Sequence, residues 1–150
     1  MAESEMQRKI LAALAAVRDC AEQMENRADN LMQALPAITM DEALRVTSLE
    51  TSAALKDTAG RVEFEVALLQ AQLGEGKADV ANVVRALSSM DASIMSALAS
   101  AADVVDELEK AAEHDERNEP PFVMMIEATG VMLQGLEKAK VATEELRAAR

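Results

Sequence analysis

The sequence predicts an all-α fold: four long helices in an antiparallel up-and-down bundle, or two helical hairpins packed as a dimer. The first observation behind this is a seven-residue apolar repeat that runs unbroken through Ile10, Leu14, Val17, Ala21, Met24, Ala28, Leu31 and Leu35. Alternating spacings of four and three keep these residues on one side of a helix, and such a seam must be buried. The second is composition. Half of the 150 residues are apolar, yet only Phe64 and Phe122 are aromatic. An interior of Ala, Leu, Val and Met suits close-packed helices and lacks the β-branched and aromatic enrichment of strands. The third is punctuation. Pro36, the pair Gly74 and Gly76, and the pair Pro120 and Pro121 divide the chain into four long stretches.

The first helix is expected over about residues 3–35 and ends at Pro36, which lacks the N–H that the next turn needs. The second is expected over 40–73. Thr39, Met40, Asp41 and Glu42 have the form of a capping box, with the Thr39 hydroxyl on a first-turn N–H and Glu42 reaching back. Its back half keeps the repeat through Leu55, Ala59, Val62, Val66, Leu69 and Leu73. The front half carries Thr47, Ser48, Thr51, Ser52 and Thr58, with Gly60 beyond, so a phase change or bend is expected near 53–60. A polar groove or hinge is the functional alternative.

The third helix is expected over 78–115, with a seam of Val80, Val84, Leu87, Asp91, Ile94, Leu98, Ala101, Val105, Leu108 and Ala112. Asp91 alone interrupts it. The fourth is expected over 120–148, with Asn118 as N-cap and the two prolines in its first turn. Its seam reads Met125, Thr129, Met132, Leu136, Ala139, Thr143 and Leu146. Together these make one domain, 1–150.

With 27 acidic and 15 basic residues the net charge is −12, so nucleic acid is not an expected partner. Cys20 has no second cysteine to pair with and reads as a half-buried apolar filler in a reducing compartment. No apolar run approaches the ~20 residues that span a bilayer, and the opening MAESEMQRKI is acidic, which together predict a cytoplasmic protein.

Catalytic patterns are weak. The single histidine, His114, has Ala111 three residues before it rather than the glutamate of a di-iron motif, and no Cys or His cluster suggests zinc. The string from His114 to Asn118 departs from the His-x-x-Lys-Gly pattern of phosphorelay bundles. Two carboxylate rows, Glu22–Glu25–Asp29 and Asp103–Asp106–Glu107, have turn spacing suited to magnesium, but they lie beside their seams and read as solvated faces. No enzyme, cofactor or metal is expected.

Two features point to partners. Asp91 is a candidate buried polar specificity residue, setting register or subunit pairing from within a seam. Asp103, Asp106, Glu107, Glu109, Glu113, Asp115 and Glu116 form a candidate acidic partner face. Met24, Met32, Met90, Met95, Met124, Met125 and Met132 read as core filler, or as an adaptable apolar surface. The end of the chain, Glu144, Glu145, Leu146, Arg147, Ala148 and Ala149, resembles the second half of the Glu-Glu-x-x-Ala-Ala methylation pattern of bacterial chemoreceptor helices. Lys140 and Val141 stand where that pattern wants small residues, so no function is carried over. The expected function is that of a non-enzymatic helical interaction or structural protein, an adaptor, secretion-chaperone-like or assembly subunit. It would bind a protein partner or itself through helical seams. The alternative is a bundle that holds a small apolar ligand or cofactor in a Met-rich interior.

Overall fold

The computed structural model describes residues 2–77 and 79–148, so Ala78 and Ala149 of the sequence reading lie outside the described residues. Four helices follow in order: α1 (Ala2–Ala34), α2 (Glu42–Gly74), α3 (Val80–His114) and α4 (Glu119–Ala148). Short 3-10 turns, Leu35–Ala37 and Glu116–Asn118, lead from α1 towards α2 and from α3 into α4. The helices pack in a ring in which each touches the next and α4 returns to α1. One chain therefore closes a four-helix bundle by itself, without a second hairpin pair. The α2–α3 contact is the loosest of the four.

All eight residues of the first seam are buried, none more than 3 % exposed. The α1–α4 crossing is close. The Cys20 thiol donates to the Val131 carbonyl at 3.8 Å, and a Cβ on Gly135 would meet the Met24 Cε at 3.4 Å. Of the predicted α4 seam, Thr129 is half-buried and the rest is buried. The Thr129 and Thr143 hydroxyls donate to the Met125 and Ala139 carbonyls, which satisfies them within their own helix.

The start of α2 corrects the capping box. Asp41, not Thr39, is the N-cap: its carboxylate accepts from the Leu44 N–H at 3.2 Å, and Glu42 pairs with Arg45 instead. The extended backbone ends at Asp41, and a carboxylate there both accepts the N–H and complements the helix dipole. Arg45 also donates to the carbonyls of Leu35 and Ile38, clipping the connection from α1.

No phase change occurs in α2. Ser48 and Ser52, both 0 % exposed, occupy the seam positions that precede Leu55 at the same alternating spacing. The Ser52 hydroxyl donates to the Ser48 carbonyl at 2.8 Å, so the helix absorbs one buried hydroxyl internally. The Ser48 hydroxyl has no partner. Replacing Ser48 with alanine removes that unpaired group and is expected to raise unfolding stability by about 1 kcal/mol. A urea midpoint lower than wild type would show the opposite, that the hydroxyl is bonded.

The close of α2 needs a glycine. Gly76 has φ +73°, which lets the Lys77 N–H reach the Gln72 carbonyl at 2.8 Å and its own N–H reach that of Leu73 at 3.2 Å. Asp79 then caps α3 by accepting from the Asn82 N–H at 2.8 Å.

The α3 seam is rotated from the one read in the sequence. Val84, Leu87, Ile94, Ala101 and Leu108 are buried as expected, but Val83 is buried beside Val84, and Met90 and Val104 are buried where Asp91 and Val105, both half-buried, were expected. A bundle helix contacts two neighbours, so its apolar stripe is wider than one seam, and here its centre falls one residue earlier. Met90 is 1 % exposed and Asp91 is half-buried on the flank. At the α3–α4 corner, Asn118 is not an N-cap. It closes the 3-10 turn, and its side-chain amide donates to the Ala111 carbonyl at 3.3 Å. The chain is already helical at Glu119 (φ −64°, ψ −46°), so no extended capping residue precedes the two prolines.

Candidate functional site

Charge is divided along the bundle. Residues 19–58 and 98–133 make up one half, because consecutive helices joined by short connections alternate in direction. Those residues hold 17 acidic and 5 basic side chains, and the rest of the sequence holds 10 of each. The whole net charge of −12 thus belongs to one half.

Within that half, Asp103, Asp106, Glu107, Glu109, Glu113 and Glu116 are exposed on and just beyond α3. Asp115 leaves the predicted face. It is half-buried, and its carboxylate accepts from the Arg117 backbone N–H at 3.0 Å and from the Arg117 guanidinium at 2.7 Å. Those bonds hold the Asp115 carboxyl below the usual carboxylate range. His114, beside it, is exposed at the last residue of α3.

Asp91 lies in a notch of about 210 Å³ shared with Ser88 and with Lys140, Thr143 and Arg147 of α4. One carboxylate oxygen is shielded and unpartnered. The structure therefore places it on the flank of α3, facing a mixed-charge stretch of α4 with Lys140, Glu144 and Arg147, and not in the centre of a seam.

Of the row Glu22, Glu25 and Asp29, Glu22 is exposed as expected, whereas Glu25 and Asp29 are half-buried beside the α1–α2 crossing. Asp29 pairs with Lys56 at 2.8 Å, and Arg18 donates to Gln70 at 3.1 Å. Between them Glu63 of α2 meets Glu25. Burial, a hydrogen bond to Glu25 and the charges of Glu25 and Glu22 push the Glu63 carboxyl from its ordinary 4.5 to about 7, against the pull of Arg18. Among the described residues, no group of three or more His, Cys, Asp or Glu side chains is placed to hold a metal ion. Cys20 is fully buried, not half-buried, and burial pushes its thiol up, away from the reactive thiolate.

Met24, Met90, Met125 and Met132 are core side chains less than 2 % exposed, whereas Met95 is 52 % exposed. The hollows lie between helices at the surface. One of about 460 Å³ lies between α2 and α3 and is lined by Thr58, Arg61, Ser89, Ser93, Ser96 and Ser100; of the α2 hydroxyls only Thr58 borders it, so it is not the polar groove expected from Thr47, Ser48, Thr51 and Ser52.

The sequence reading missed the outer side of α4. Val123, Ile126, Leu133 and Val141 are 43–55 % exposed, and Gly130 lies between the middle two. The spacing 123, 126, 130, 133 alternates three and four like the buried seams, which is the signal that was available. Beside this row, Ala12, Ala13 and Ala16 of α1 and Val141 and Ala142 of α4 line a groove of about 550 Å³, with Lys9, Glu137, Lys138 and Glu145 also bordering it. Phe64, 69 % exposed, and Leu68 form a smaller apolar spot one turn apart on α2.

No helix among the described residues is long and apolar enough to cross a membrane. Comparison with protein-family models, curated proteins and solved structures finds no match for the chain.

Proposed function

We propose that this is a non-enzymatic helical interaction protein, an adaptor, chaperone-like or assembly subunit that works by burying helix surface against other helices. The observation that supports this reading is the second apolar row of α4, exposed at Val123, Ile126, Leu133 and Val141. A helix that is apolar on opposite sides gains from contact on both, and its own bundle covers only one. Clustered exposed apolar side chains of this kind are typical of docking surfaces. The acidic half supplies solubility and attracts a basic partner at close range. The reading places the protein in the cytoplasm, where a lone thiol such as Cys20 stays reduced.

The test is amine cross-linking in cells that make the protein, followed by mass mapping of the tagged chain. Cross-links from Lys138 and Lys140, which flank the row, to a second polypeptide are expected with wild type. They should disappear when Ile126 and Leu133 are both changed to glutamate. The same links in both proteins would sink the reading.

A further inference from the structure

We infer that the outer face of α4 is the contact between two copies of this chain, packed antiparallel about a two-fold axis close to Leu133. This rests on the reading of that face as an interaction surface and goes further by naming its occupant. A two-fold contact must be self-complementary, since the same patch serves both sides. The face meets that condition in shape. Ile126 and Leu133 protrude, while Ala12, Ala13 and Ala16 border a hollow farther along α4, level with residues 134–145, where an axis at Leu133 brings the partner's Ile126, so each copy offers what the other needs. Gly130, in the middle of the row, has no heavy atom within 4 Å of where its Cβ would stand, which leaves room for a second backbone to come close.

Charge selects the occupant and its direction. The groove is bordered by two cations, Lys9 and Lys138, and two anions, Glu137 and Glu145, so neither an acidic nor a basic partner is favoured there. A copy of the same surface is favoured, because about an axis at Leu133 Glu119 and Glu127 of one copy come level with Arg147 and with Lys138 and Lys140 of the other. In the first half of α4 Glu119 and Glu127 stand without a cation on that helix, and in the second Lys138, Lys140 and Arg147 balance three glutamates. Antiparallel packing about Leu133 lays the acidic half of each protomer along the balanced half of its partner. Parallel packing would lay the two acidic halves, which carry the whole −12 of each chain, side by side.

Sedimentation of the purified protein at low salt should give twice the chain mass of 16.1 kDa. The Ile126→Glu, Leu133→Glu double variant should give the single mass with unchanged helical circular dichroism, both sites being 44–55 % exposed. Orientation is read with cysteine. Cys20 is buried, so on mild oxidation Leu133→Cys should form a disulfide-linked dimer, whereas Val123→Cys on the same row, which only parallel packing would set against its own copy, and Phe64→Cys on α2 should not. A wild type that is monomeric at its highest soluble concentration overturns the pairing, as does a double variant that stays dimeric. Cross-linking at position 123 or 64 equal to that at 133 overturns the axis. A monomeric wild type whose cellular cross-links still depend on Ile126 and Leu133 would leave the broader reading standing and refute only the pairing of copies.

Discussion

Replacing Leu31 with alanine is expected to lower the free energy of unfolding by about 2–5 kcal/mol, whereas the same change at Leu133 is expected to stay within about 0.5 kcal/mol. Leu31 is 0 % exposed in the α1 seam, and Leu133 is 55 % exposed on α4. At Leu31 the truncation forfeits the transfer energy of the removed carbons and leaves a void. Fully buried alanines at Ala21 and Ala28 hold the same helix at close range, so its surroundings have little freedom to collapse into that void. A loss of this size is a large share of the roughly 5–15 kcal/mol that holds a domain folded. Urea unfolding of both variants checks the contrast, and equal losses would contradict the burial assigned to them. The contrast also matters for the partner experiments, because it separates changes at Leu133 that affect contacts from changes that damage the bundle.

Stability is also expected to fall as pH rises from about 5 to 8, with a component that vanishes in Glu63→Gln. The folded state holds the Glu63 proton up to about 7, while the unfolded chain releases it near the ordinary 4.5. Between those values the native protein binds more protons than the unfolded one. The stabilising contribution is therefore complete at low pH and lost as pH passes through the folded value. Glutamine keeps a neutral hydrogen-bonding group beside Glu25, so the variant should match wild type near pH 5 and exceed it above pH 7. The difference should be on the order of 1 kcal/mol, since Glu63 is partly exposed and water screens the pair. Melting temperatures of both proteins across that range test it. A gap that stays constant with pH would mean Glu63 is not the titrating group. Asp115 acts in a separate window with the opposite sign. Its carboxyl is held low by Arg117, so its contribution is present at neutral pH and lost only in acid.

The parts of the fold legible in the sequence are those fixed by local periodicity. The α1 seam needed nothing else, because only one row of that helix is apolar enough to be buried. On α3 two overlapping rows fit equally well. Val80–Val84–Leu87 and Val83–Leu87–Met90 share Leu87, and which row is central depends on where the neighbouring helices stand. That one-residue ambiguity put Asp91 in a seam. The same kind of ambiguity moved the α2 cap from Thr39 to Asp41, since both residue types accept a first-turn N–H and only the end of the extended backbone decides between them. Ser48 and Ser52 looked like a break because they are polar, although their spacing already continued that of Leu55. The meeting of Glu25 and Glu63 left no local trace at all. It arises from the register between α1 and α2, which no single stretch of chain encodes. The outer row of α4 was visible in the spacing but hidden by the assumption of one seam per helix.

The lopsided charge makes the molecule a strong electric dipole along its length. Its helices of 30 to 35 residues make it about 50 Å long, yet at physiological ionic strength the field of a charge fades over about 8 Å. The two ends are thus nearly blind to each other. One behaves as a polyanion, collecting counterions and responding strongly to added salt. The other carries equal numbers of both signs and no net charge, so salt acts there only on individual ion pairs. Ionic strength therefore acts on one end of this protein as a whole and on the other only pair by pair.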